Sequence, residues 1–276
     1  MRGIRWLWGK WRSLAQAVYH WRMGVYRFFT EEPAEHDLAD ILQETAASPS
    51  ALWAHFEALR RHLLRAAVVW VLATAASWFV APRLLAFLAA PIGGITHLQA
   101  IEVTEPLRVF LRVMLLAGFA ISLPYIYWEL YLFVAPGLRP RARVYGLLAL
   151  PLVLLFFVGG MAFAYYVMLP AALPFLLNFM GIPTVPRPAS YIRFVTGLMF
   201  WVGVAFEFPL AVYLLAAIGW VKARYLTEHW RIAVVLIALL AAIITPTVDP
   251  VNMLLVMFPM LGLYGVSIFL ARLAER

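Results

Sequence analysis

Two carboxylates stand inside long apolar runs of this chain, Glu129 in PYIYWELYLFVAPGL and Glu207 in VAFEFPLAV. A carboxylate in hydrocarbon is costly, so an acid kept there marks a functional contact by default. Glu207 is the deeper of the two. It suits a polar inner wall or, alternatively, a protonated or hydrogen-bonded structural acid. Glu129 stands near the end of its run, within reach of an arginine-rich loop holding Arg139, Arg141 and Arg143, and pairing with Arg139 or Arg141 is the simpler reading. Little else could do chemistry. The six histidines are scattered, and only His55 and His62 share a helix, two turns apart. The absence of cysteine removes disulfides, thiolate metal sites and cysteine nucleophiles together. No nucleophile elbow, phosphate-binding loop or H-E-x-x-H is present. These residues indicate no enzyme, no cofactor and no nucleic-acid partner.

The elements that hold these acids are built for lipid. Hydrophobic residues make up 64% of the chain and charged residues 13%, with a mean hydropathy of +0.85. Soluble domains carry about 25% charged residues, so this chain has too little polar surface to cover itself in water. The apolar runs are continuous rather than alternating, which excludes an outer-membrane barrel. The fold class is an all-α membrane protein.

Six spans are expected, at 66–82, 106–134, 145–169, 194–218, 232–244 and 251–270. Mixed loops at 83–105 and 170–191 separate the first four. The fifth span is short: thirteen residues rise only about 20 Å, so its flanks snorkel or the bilayer thins around it. Pro124, Pro151, Pro209 and Pro259 fall within or at the ends of spans. Each removes a backbone hydrogen bond and bends its helix, which favours a concave, open wall. Of the twenty-two Lys and Arg residues, seventeen fall on the side that holds both termini. The excess of basic residues on cytoplasmic loops predicts that both termini are cytoplasmic.

Residues 1–50 differ from the rest. Over 1–29, Ile4, Leu7, Trp8, Trp11, Leu14, Val18 and Trp21 recur at helical spacing, with Arg5, Arg12, Arg22 and Arg27 largely between them. This predicts an interfacial amphipathic helix on anionic lipid. Residues 31–50 read as an acidic linker, ending in Ser48-Pro49 as N-cap and first helical position. The expected domains are therefore an extension, 1–50, and a six-span membrane domain, 51–276.

Six segments of the membrane domain resemble the TatC family, the integral-membrane core of the twin-arginine protein translocase. HFEALRRHLL is similar to that family's HLxELRxRLL. IEVTEPLRVFLRV, LPYIYWELYLFVAPGL, VGGMAFAYYVMLPAALPFLLNF, FWVGVAFEFPLAVYLL and ITPTVDPVNMLLVMFPMLGLYGVSIF follow in family order, over about 51–272. The resemblance implies a bacterial or archaeal cytoplasmic-membrane protein with a cup-like fold. Such a protein binds twin-arginine signal peptides of folded precursors at its cytoplasmic face. It assembles into a multimeric complex with TatA- and TatB-type single-span proteins, and transport draws on the proton gradient.

By resemblance, signal binding falls to Glu57, Arg60, Phe133, Arg143 and Glu129, membrane-embedded partner contacts to Glu207 and Asn252, and structural roles to Pro91, Pro124, Pro136 and Pro209. The family's two signal-binding glutamates are absent, at Ala58 and Ala142, although Glu57 stands one place before the first. One residue turns a helix face by about 100°. The family's glutamine in the second span is Glu129, its late aspartate is shifted to Asp249, and Gly265 replaces an acid of the last span. A guanidinium–carboxylate pair contributes about 1.5–3 kcal/mol, so losing two weakens binding by roughly 10²–10⁴. The alternative expectation is a TatC-derived scaffold that no longer reads twin arginines.

Overall fold

The structure, a computed structural model, describes residues 49–137, 140–178, 185–217, 219–244 and 250–275. The amphipathic segment 1–29, the linker up to Ser48, Arg139 and Asp249 lie outside the described residues, as do the side chains of Arg141, Ala142 and Asn252.

Nine α-helices follow one another among the described residues, with no strand: α1 Pro49–Ala76, α2 Ala81–Ala89, α3 Glu105–Val134, α4 Pro140–Phe163, α5 Leu169–Leu177, α6 Pro188–Ala217, α7 Ala223–Glu228, α8 Trp230–Ile244 and α9 Pro250–Ala274. Four of them, α1, α4, α6 and α9, begin on proline. Proline suits that position because its φ is already helical and its missing N–H would be unpaired there. Pro124, Pro151, Pro209 and Pro259 all lie inside helices, as expected. Pro91 and Pro136 occupy 3₁₀ turns, Ala90–Ile92 and Ala135–Gly137. Gly93 and Gly94 follow the first turn with φ of 89° and 105°, which stop the helix where a side chain would be strained.

Five helical stretches among the described residues are long and apolar enough to cross a membrane: His55–Phe79, Glu105–Val134, Arg143–Leu177, Pro188–Ala217 and Met253–Ala274. Two shorter apolar helices, Ala81–Ile92 and Trp230–Ile244, accompany them. The second of these, fifteen residues long, covers the segment expected as a short fifth span. Only 11% of the most apolar window of the first stretch is buried, against 39% for the fourth. The helix α6 is therefore the central post, packed on α3, α4 and α9, and α1 is a peripheral stave lying along α3.

Close helix contacts rest on glycine. A Cβ on Gly160 of α4 would meet the Gly203 Cα of α6 at 2.8 Å, and one on Gly118 of α3 would meet the Thr74 backbone at 2.5 Å. Small residues at crossings let membrane helices gain dispersion energy where no hydrophobic effect drives them together.

Two expected loops are largely helical. Residues 83–105 contain most of α2, whose Ala81, Leu88 and Ala89 are buried. Its charged Arg83 and its brevity concealed that apolar face. Residues 170–191 are also mostly helix, since the third stretch runs on to Leu177 and α6 starts at Pro188. The helix survives Pro170 because a π-helical segment, Ala164–Met168, precedes it. The wider turn relieves the contact between the proline ring and the carbonyl four residues back.

Candidate functional site at the rim of the first and third helices

The first turns of α1 and the last turns of α3 bring together most of the residues singled out from the sequence. Glu129 is buried and faces α1. Its Oε2 lies 2.6 Å from His62 Nδ1 and 4.0 Å from Arg65 Nη1, and its Oε1 accepts a 2.6 Å hydrogen bond from Tyr125. With the carboxylate as acceptor, Nδ1 is the protonated ring nitrogen of His62. The described partners of Glu129 thus come from α1 and from its own helix, where the sequence favoured the loop arginines. No recognised spacing signalled His62, which is sixty-seven residues from Glu129.

One turn further along α3, Phe133 packs its ring 4.6 Å from that of His55 and 6.1 Å from that of His62. His55, Ala58 and His62 fall at spacings of three and four, so they share one face of α1. Glu129 therefore sits against the face that carries Ala58. Glu57 is turned away from it, half exposed, and is engaged by its own helix: Arg60 Nη1 lies at 3.4 Å and Arg61 Nε at 4.0 Å.

Arg143 is buried and works on the backbone. Its Nε donates to the Ala135 carbonyl at 3.0 Å and its Nη2 to that of Pro136 at 3.3 Å. These are carbonyls that the end of α3 leaves without helical partners. The Tyr131 hydroxyl donates to the Arg143 carbonyl at 2.8 Å and Tyr127 to that of Gly146 at 2.9 Å. The end of α3 and the 3₁₀ turn Ala135–Gly137, which holds Pro136, are thereby tied to the start of α4. Pro124 lies in α3 next to Tyr125, within the same helix end.

Glu207 lies elsewhere, within α6, near Tyr127 and the backbone of Phe157. Its Oε1 is buried and has no hydrogen-bond partner among the described residues. Pro209 lies two residues on, buried. Asn252 belongs to α9. Gly265, where the resemblance expected an acid, is exposed, with open space where a Cβ would stand.

The opposite end of α3 carries a second charged group. Arg108 pairs with Glu102, and Arg187 pairs with both Glu105 and Glu102. Glu105 is fully buried and its Oε2 also accepts from the Ile101 N–H at 3.4 Å. The Arg108 guanidinium holds Glu102 below the usual carboxylate range, and Glu105 raises the pKa of Arg187. Among the described residues no three His, Asp or Glu converge on a metal position.

An all-helical bundle with five membrane-length stretches and buried acids at helix ends defines a multi-pass membrane protein, not a soluble helical domain. The sequence model of the family described as Sec-independent protein translocase protein (TatC) matches residues 54–259. The chain belongs to this family. It is 32% identical over 227 residues to the TatC of Carboxydothermus hydrogenoformans, covering 81% of this chain and 93% of that one. It is also 32% identical over 241 residues to the TatC of Deinococcus radiodurans, covering 83% and 87%. A crystal structure described as twin arginine translocase receptor TatC superposes with a TM-score of 0.70 at 31% identity, over 80% of this chain and all of that one.

Proposed function

We propose that this TatC-family chain binds the twin-arginine signal peptides of folded precursors at the α1–α3 rim. The observation that carries this reading is the position of Glu129. The family's acid at position 58 is missing, yet a buried carboxylate from α3 stands against the same face of α1, one turn along, beside His62. A signal guanidinium that replaces the His62 contact gains a charge-assisted hydrogen bond, about 1.5–3 kcal/mol. Phe133 supplies the apolar floor beside it, Glu57 and Arg60 line the outer edge, and Arg143 positions the rim by capping α3.

In this reading the rim faces the cytoplasm, with both termini on that side, and residues 1–29 lie on anionic lipid. Glu207, with an unsatisfied oxygen at membrane depth, and Asn252 contact polar groups of TatA- and TatB-type single-span partners in a multimeric complex driven by the proton gradient.

The test is export of a twin-arginine reporter in cells where this chain is the sole TatC. Wild type is expected to export, and Glu129→Gln to export at least tenfold less. If wild type fails and the double substitution Ala58→Glu with Ala142→Glu restores export, the chain is instead a scaffold that has lost signal recognition.

A further inference from the structure

At the end of the bundle opposite the rim, four arginines lie on two helix entrances, and only two of them are neutralised. Arg108 and Arg187 are taken by Glu102 and Glu105. Arg112 of α3 and Arg193 of α6 have no acidic partner among the described residues, and Arg193 lies one turn before Thr196, the residue that Arg112 bonds. Both are exposed. Arg112 is anchored, because its Nε donates to Thr196 Oγ1 at 3.1 Å while that hydroxyl donates to the Ile192 carbonyl. Two like charges on neighbouring helix faces raise the local potential and favour an anion between them.

Depth limits which anion. Arg112 lies seven residues beyond Glu105, about 10 Å along an apolar helix long enough to cross a membrane. An apolar groove starts one turn deeper on the same faces: Leu116 follows Arg112 by four residues and Met199 follows Thr196 by three. With Phe87, Val113, Met161 and Tyr166 they line a cavity of about 240 Å³. Its lining is apolar, which suits part of a hydrocarbon chain.

We propose that Arg112 and Arg193 bind the phosphate of an anionic phospholipid whose acyl chain lies in this groove. Thr196 sets the guanidinium of Arg112, and the small side chains Ala117 and Ala120 leave room for the tail. The lipid would tie α3 to α6 at the end where their arginines otherwise push them apart.

The experiment uses the full chain in zwitterionic detergent, titrated with phosphatidylglycerol, phosphatidylcholine or inorganic phosphate. Native mass spectrometry counts retained lipids, and thermal unfolding reads the stabilisation. Phosphatidylglycerol is expected to raise the midpoint at concentrations at least tenfold lower than phosphatidylcholine. The double substitution Arg112→Gln with Arg193→Gln should retain one fewer phosphatidylglycerol and melt no lower than wild type when no lipid is added. Ala117→Phe, which fills the groove and leaves both arginines, should lose the same lipid. An unchanged lipid count in both variants would overturn the proposal, as would equal stabilisation by inorganic phosphate.

Discussion

The two ends of α3 handle charge in opposite ways. At the rim, acids are few, and each is engaged by neighbours that a ligand can displace. His62 touches Glu129 through one ring nitrogen, and Arg60 and Arg61 hold Glu57 in solvent. At the far end, Glu105 is fully buried against Arg187, and Glu102 bridges two arginines. A buried, cross-helix pair is built to stay closed, because removing one partner strands the other in a poorly solvated place. At the rim Glu129 is itself buried, but Arg65 beside it and the arginines on Glu57 are mostly exposed, which leaves an approach from solvent. In the proposed function, the difference separates a fastening from a binding site although both use the same residue types.

The most disruptive change acts on both ends together. Gly160→Val drives a branched side chain into the Gly203 backbone and should cost more than about 3 kcal/mol, beyond ordinary overpacking, read by thermal unfolding in detergent. Glu105→Ala should break only the far end. It leaves Arg187 without its main partner and should lower stability by about 2 kcal/mol, below the cost for a fully buried pair because Arg187 is partly exposed. Signal binding at the rim should be unaffected. Tyr131→Phe removes one hydrogen bond to the Arg143 carbonyl, and about 1 kcal/mol is expected, with looser seating of the α3–α4 turn seen as faster amide exchange there.

The smallest effect is acid dependence at the far end. Glu102 titrates below its ordinary value of 4.5 in the folded chain. Its stabilisation is thus complete above that value and is lost as pH falls through the lower, folded one. Glu102→Gln should flatten the acid limb of the stability profile, read by thermal unfolding across acid pH.

Much of this was legible in the sequence. Long apolar runs gave the helical stretches, and Pro49 marked the start of α1. The family motifs located Glu129, Phe133 and Arg143, and the membrane prolines fell inside helices as expected. What was not legible depended on contacts distant in the chain. The partners of Glu129 required α1 to lie along α3, a packing set by Gly118 against Thr74 that no local pattern reports. The helix across Pro170 depended on a π-helical segment, which follows no periodicity readable from residue types. The closing of the far end depended on Arg187, hidden among the prolines of a segment read as loop. Arg143 matched a binding motif, yet its guanidinium caps the end of α3.

The central claim is that Glu129, pressed against the face of α1 that lacks its glutamate, receives an arginine of the signal. Direct binding tests it: a labelled signal peptide carrying paired arginines, or paired lysines in their place, is titrated into the purified full chain. Wild type should bind the arginine peptide at least tenfold more tightly than the lysine one, because a planar guanidinium matches a carboxylate through two parallel bonds. Glu129→Gln should abolish that preference, and Ala58→Glu should strengthen it. Equal binding of both peptides by wild type, or an arginine preference that survives Glu129→Gln, would contradict the claim.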